Sequence, residues 1–306
     1  MYFLDEIQRK SIISQRPNMR HIPSSNAYFV HIPKNGGMSV VKALKASGGL
    51  SYTALAEDLN ISEQAAEEAV ESDFYHTHLG QFKPSHMPLW LIAEHLPNTW
   101  SAFQGATTFA LTREPRSRFL SALMQRMKEF HDAGAIRADD PAVIEEARNV
   151  CDWLSARDRF YDETYIHFVR QVHFTHLDGQ RMVTGIFAVK DTAMLCEWVK
   201  TTTGLSIDIG HDHARKQPKK WAKTIQPMAR FAGRTLMPRS VKKALHPLWM
   251  NSGLFTSASS SYAAVDLGND VENFIQNYYA ADYRLHNEAL DGAATSAIAP
   301  AEIAAH

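Results

Sequence analysis

Cysteine is scarce: Cys151 and Cys196 are the only two in 306 residues, too few for a disulfide framework. Both lie in apolar helical patterns, where buried thiols are expected. Long hydrophobic runs are missing as well. No stretch reaches the roughly 18 consecutive apolar residues that a membrane-spanning helix needs. The opening MYFLDEIQRK is charged early and has no apolar core of signal-peptide length, so a soluble, cytoplasmic protein is expected. No internal repeat is present, and no segment fits the nucleoside-triphosphate loop G-x-x-x-x-G-K-[ST]. Acidic residues are absent from one long stretch. Between His213 and Val265 stand ten Lys/Arg and no Asp/Glu, leaving 22 Lys/Arg against 33 Asp/Glu elsewhere. A basic block in a chain of net charge −1 points to an anionic partner or surface.

The 45% hydrophobic content suffices for one large domain. That domain is organised around residues 28–45, YFVHIPKNGGMSVVKALK. Tyr28, Phe29 and Val30 read as the end of a buried strand, Pro33 to Ser39 as a turn, and Val40, Val41 and Leu44 as one face of a helix. Strand, Gly-rich turn and helix form a layout that holds phosphate. Glycines let the backbone approach an anion, and the N–H groups of the helix start point at it. Lys34 adds a full positive charge, but it precedes Gly36 and Gly37 instead of following them. Taken alone, a Gly-Gly turn is also an ordinary strand-to-helix connection.

A second stretch repeats the layout. Residues 107–112, TTFALT, are β-branched and aromatic and read as a strand. They run into Arg113-Glu114-Pro115-Arg116-Ser117-Arg118, with Pro115 suited to the first turn of a helix. Arg118 and Ser121 then lie three apart on one helical face, and Arg113 sits at the strand exit. A guanidinium fork beside a hydroxyl suits a phosphate monoester. The plain alternative is a helix with solvated arginines.

Together these stretches resemble the sulfotransferases that use 3′-phosphoadenosine 5′-phosphosulfate, in the branch of the carbohydrate (heparan and chondroitin) 2-O-sulfotransferases. HIPKNGGMS is similar to that family's 5′-phosphosulfate loop, H-I-P-K-T-G-G-T-S. Pro33, Lys34, Gly36, Gly37 and Ser39 are kept, while Asn35 and Met38 stand where the family usually has Thr. LTREPRSRFLSAL is similar to its 3′-phosphate motif, R-[DE]-P-x-x-R-x-x-S, with Arg113, Pro115, Arg118 and Ser121 in place. The resemblance spans residues 27–290; the family's animal members carry a membrane anchor, and the lack of one here leads to the expectation of a soluble, bacterial-type member. Its implied fold is α/β, a P-loop-like parallel sheet flanked by helices on both faces, with the cofactor at the carboxyl ends of the strands.

Between the two motifs lies DFYHTHLG, residues 73–80. On an extended segment His76 and His78 face the same way. The residues alone leave open surface histidines, an H-x-H metal pair and a catalytic base. The resemblance favours the base, because the family has a His-Gly-His element here; Thr77 replaces its glycine. It implies His78 as the base and His76 as a residue that orients the acceptor or His78. Glu94 and His95 are in reserve at the end of an expected buried strand, 89–93.

Elsewhere, residues 1–26 are expected to be an N-terminal extension, a short helical pattern and then a loop. Residues 53–72 read as helix, with a start at Ser62 and Glu63, and residues 141–172 as one or two helices with an aromatic core stripe. Residues 181–189 read as a strand, followed by a helix from Asp191-Thr192 with Leu195, Trp198 and Val199 inward. Residues 270–290 read as a helix, and 291–306 as a frayed, flexible tail. Within the basic segment 213–265, residues 228–249 mix Arg/Lys with Met, Phe, Leu and Trp. They suit either a peripheral membrane contact or the wall of an acceptor site for an anionic glycan.

The resemblance implies sulfuryl transfer from 3′-phosphoadenosine 5′-phosphosulfate to a hydroxyl, expected to be on a saccharide, leaving adenosine 3′,5′-bisphosphate. The loop Pro33, Lys34, Asn35, Gly36, Gly37, Met38 and Ser39 would hold the 5′-phosphosulfate, and Arg113, Arg118 and Ser121 the 3′-phosphate. Neither a metal nor nucleic acid is expected. The rivals are a P-loop nucleotide kinase or NTPase, against which the position of Lys34 argues, and a non-catalytic nucleotide- or glycan-binding protein. A zinc hydrolase built on His76/His78 and His211/His213 is the third.

Overall fold

In a computed structural model the described residues are 19–47, 49–71, 74–76, 80–130, 138–209, 216–218, 255–257 and 265–292. Strands β1 (Met19–Ile22) and β2 (Ala27–Val30) form a hairpin around a 3-10 turn and Asn26, whose φ is 44°. The chain continues through α1 (Gly37–Ser47), α2 (Thr53–Leu59) and α3 (Glu63–Glu71). A short hairpin, β3 (Phe74–His76) with β4 (Gly80–Phe82), leads to α4 (Leu89–His95) and α5 (Pro97–Gln104). β5 (Thr107–Thr112) feeds α6 (Pro115–Phe130), and α7 (Pro141–Ser155) follows. A second hairpin, β6 (His176–Leu177) with β7 (Gln180–Arg181), precedes β8 (Gly185–Ala188) and α8 (Thr192–Thr203). β9 (Lys216–Pro218) pairs with β10 (Phe255–Ser257), and α9 (Asn269–Tyr278) and α10 (Ala280–Leu290) come last.

The central sheet has the order β1-β2-β5-β8. β1 runs antiparallel to β2, whereas β2, β5 and β8 are mutually parallel. The fold is therefore α/β with a mixed, mostly parallel sheet. Alternate residues of a strand face opposite sides, so a sheet covered twice needs apolar residues at every position. Tyr28, Val30, Ala110 and Ile186 pack into a core with α5, α6, α7 and α9. Ala27, Phe29, Phe109, Leu111 and Phe187 pack into another with α1 and α8. The parallel strands end at Val30, Thr112 and Ala188 on the same edge, so the two Gly- and Arg-bearing turns emerge side by side.

Several local expectations are corrected. Residues 89–93 are helix and not strand: Pro88 precedes α4, and Leu89, Ile92 and Leu96 are buried at helical spacing. A short apolar run carries no period that separates the two. Part of the expected N-terminal extension is β1, paired with β2. The expected strand 181–189 is only β8, because Arg181 belongs to the β6–β7 hairpin, turned by Asp178 (φ 48°) and Gly179 (φ 84°). Residues 53–71 hold two helices, interrupted at left-handed Asn60, with the Ser62 hydroxyl accepting from the Ala65 N–H at 3.1 Å. Helix 270–290 breaks at Tyr279, whose buried hydroxyl donates to the Phe168 carbonyl at 2.7 Å. After α7, residues 156–172 hold 3-10 turns and no second helix. Cys151 is buried as expected, but Cys196 is only half-buried.

Candidate functional site

The turn after β2 is tightly curled. The Asn35 N–H bonds the Ile32 carbonyl and the Ser39 N–H the Gly36 carbonyl, each at 3.3 Å. Lys34 (φ 70°) and Gly36 (φ 74°) are left-handed, an uncommon conformation for lysine and one that marks a constrained loop. Gly37 is needed for a different reason. A Cβ there would come within 2.9 Å of the buried His31 ring beneath it. Helix α1 has no acidic residue in its first turn, so its N–H groups meet no local carboxylate. Met38 and Ser39 are half-buried on that turn.

The turn after β5 is built differently. Glu114 caps α6: its carboxylate accepts from the Arg116 N–H at 3.1 Å and the Ser117 N–H at 2.6 Å. Those N–H groups are therefore taken, and an anion at this turn would meet side chains instead. The Arg113 guanidinium donates to the Ser117 hydroxyl through Nε (3.1 Å) and Nη2 (2.7 Å), and to the Lys34 carbonyl through Nη1 (3.1 Å). Ser117, Ser121 and Gln125 follow one another along a strip of α6, and Lys34 Nζ lies 3.5 Å from Gln125 Oε1. Ser121 is half-buried on this strip. Arg118 points the other way, 2% exposed, and its Nε donates to the Pro33 carbonyl at 3.0 Å. It supports the first turn from below.

Two residues not singled out in the sequence complete the frame. The buried Gln171 side chain bonds both turns, and its backbone N–H is held by buried Asp282 on α10 at 2.8 Å. No local signal could have found them, because Gln171 and Asn35 are 136 positions apart.

Three histidines, also not singled out, gather under the first turn. His86 lies in the 3-10 turn Pro84–His86, and its ring centroid is 6.5 Å from that of His31 and 5.1 Å from that of His167. Ser85 Oγ and His86 Nδ1 are 2.5 Å apart. Burial pushes His86 well below the usual histidine range, and His31, Lys83, Lys34 and Arg20 push it the same way. Burial, then His86, Lys34, Lys83 and Arg118, lower His167 likewise, although part of its surface is exposed. His86 and His167 are thus neutral, and the positive charge around them is carried by Lys34, Lys83, Arg20 and Arg118. As pH falls below about 6.5, the unfolded chain takes up protons that the folded chain refuses, so stability is lost. Each such group contributes up to about 1.4 kcal/mol per pH unit. His86→Phe is expected to flatten the loss of stability between about pH 6.5 and 5, read by urea unfolding across that range. Equal slopes in parent and variant would contradict a buried neutral His86.

Of the expected base residues, His76 ends β3, opposite Gly80. His78 lies outside the described residues. β4 leads through Lys83 into the turn that carries His86, so the hairpin is tethered next to the histidine cluster. Glu94 and His95 are on the last turn of α4 and not at a strand end, with Glu94 exposed and 3.6 Å from His95. His211 and most of the basic segment 213–265 lie outside the described residues. Among the described residues no group of three or more His, Cys, Asp or Glu is arranged to hold a metal ion, and no helix is long and apolar enough to cross a membrane. No protein-family model, curated protein or solved structure matches this chain.

Chemically, the edge offers backbone donors at a helix start, the Lys34 ammonium, the Arg113 guanidinium bonded to the Lys34 carbonyl, and hydroxyls on the neighbouring helix. That set suits a ligand with two separate anionic groups.

Proposed function

We propose that this chain is a sulfotransferase that moves the sulfuryl group of 3′-phosphoadenosine 5′-phosphosulfate onto a hydroxyl, with a saccharide as the acceptor. The observation that carries this reading is the junction of the two turns: Arg113 Nη1 donates to the Lys34 carbonyl at 3.1 Å, so two anion-binding motifs 79 residues apart form one edge. The residues fit the donor. The first turn of α1 has no carboxylate, and Lys34, Ser39, Arg113 and Ser121 are cations and hydroxyl donors. When bound, the donor supplies an activated sulfuryl group on a phosphate leaving group.

Lys34 and the N–H groups of residues 36–39 would hold the 5′ end and stabilise the charge that grows on the leaving oxygen. Arg113 and Ser121 would read the 3′-phosphate, with Arg118 holding the loop at Pro33. His78 is the proposed base, and His76, at the end of β3, its orienting partner. The basic segment 213–265 is proposed to face an anionic acceptor, and the cytoplasm is the proposed location.

The test is binding. Adenosine 3′,5′-bisphosphate is expected to bind more tightly than adenosine 5′-monophosphate or ATP. Arg113→Ala is expected to weaken the bisphosphate by about ten- to a hundredfold, the worth of a charge-assisted hydrogen bond, while the monophosphate changes little. Equal losses for both nucleotides would show that Arg113 does not read the 3′ group. Tight ATP binding with no preference for the bisphosphate would favour the nucleotide kinase reading.

A further inference from the structure

The side chain of Gln171 is entirely buried, and its three hydrogen bonds all go to residues of the two turns. Oε1 accepts from the Arg113 N–H at 2.9 Å and from Asn35 Nδ2 at 2.7 Å. Nε2 donates to the Arg113 carbonyl at 2.8 Å. The partners determine the orientation of this amide, since an N–H can meet only its oxygen and a carbonyl only its nitrogen. Asn35 is oriented in the same way: its Nδ2 donates to Gln171 Oε1 and to the Leu111 carbonyl, also at 2.7 Å. Gln171 is itself held, because Asp282 Oδ2 and Oδ1 accept from the backbone N–H groups of Gln171 (2.8 Å) and Val172 (2.9 Å).

One side-chain amide thus joins the residue between Lys34 and Gly36 to both backbone groups of Arg113. We propose that Gln171 is a positioning residue that sets the separation between the two anion sites, so that the protein prefers a nucleotide carrying both phosphates over one carrying either alone. This inference rests on the proposed function and adds the origin of its selectivity. Only glutamine satisfies all three partners. Glutamate would set a carboxylate oxygen against the Arg113 carbonyl and place negative charge beneath an anion site, and asparagine is one methylene too short to reach both turns.

The residue acts on spacing, not on either site's own donors. Its removal is therefore expected to weaken the bisphosphate more than either monophosphate, since only the bisphosphate needs both sites at once. The experiment measures affinities of adenosine 3′,5′-bisphosphate, adenosine 5′-monophosphate and adenosine 3′-monophosphate for the parent, for Gln171→Met and for Gln171→Asn. Methionine keeps the volume without the amide. Asparagine keeps an uncharged amide but is too short to reach both turns, so it remains informative if Gln171→Met does not fold. In folded variants the ratio of bisphosphate to monophosphate affinity is expected to fall by about tenfold, with each monophosphate changed by less than about threefold. An unchanged ratio, or an equal loss for all three nucleotides, overturns the positioning role. A parent protein with no preference for the bisphosphate overturns the proposed function instead, and this inference with it; that outcome is read on the parent alone.

Discussion

Lys34→Ala is expected to lower turnover by about 10²–10³-fold, the effect of removing one preorganised charge from a developing oxyanion. Affinity for adenosine 3′,5′-bisphosphate is expected to fall by no more than about tenfold. The asymmetry follows from where the loop is anchored. Arg118 donates to the Pro33 carbonyl, Arg113 to the Lys34 carbonyl, and Asn35 to Leu111 and Gln171; none of these uses the lysine side chain. Alanine also suffers the same left-handed φ of 70° as lysine, so the loop neither relaxes nor acquires new strain. In the proposed reaction, what is lost is a positive charge whose value would rise as the sulfuryl group departs, through a loose transition state like that of phosphoryl transfer. Steady-state rates read by mass spectrometry of the product, with calorimetric affinities alongside, separate the two effects. An equal loss in rate and affinity would make Lys34 a binding residue only.

Asp282→Ala is expected to cost about 3–5 kcal/mol of stability, because it breaks a buried charge arrangement by removing one side. Burial raises the Asp282 carboxyl above its ordinary range, opposed by the nearby Arg118 charge and by the N–H groups of Gln171 and Val172. Burial in turn lowers Arg118, and Asp282 opposes that. Each is the other's compensation. The alanine variant leaves two buried N–H groups without acceptors and the Arg118 guanidinium without its counter-charge. Asp282→Asn is expected to fall between parent and alanine, since one oxygen still accepts while its NH₂ meets the second N–H. Urea unfolding at neutral pH reads both. A loss under about 1 kcal/mol for the alanine variant would mean that the network is not structurally important.

Parts of this protein are legible one segment at a time. The strand Thr107–Thr112 is β-branched and apolar because both of its faces are covered, and Pro115 starts α6 because it needs no N–H there. The turn residues Pro33 to Ser39 announce themselves through glycines whose positions the backbone demands, Gly36 by its positive φ and Gly37 by the ring under it. Where one signal fits two outcomes, local reading fails. Residues 89–93 are apolar enough for a buried strand, and only Pro88 and the packing of Leu89, Ile92 and Leu96 make them helix.

The sequence by itself therefore determined which segments could carry anion-binding turns, since hydrophobic period, proline and glycine act over a few bonds. Only the tertiary structure decided how those turns are held together. Gln171 meets Asn35 across 136 positions and Asp282 across 111, and His86 meets His31 and His167 from separate elements. A buried amide, carboxylate or neutral imidazole has no period and no neighbouring signature. Its place follows from the partner that satisfies it in the absence of water, and that partner is brought near only by the packing of the sheet and its helices.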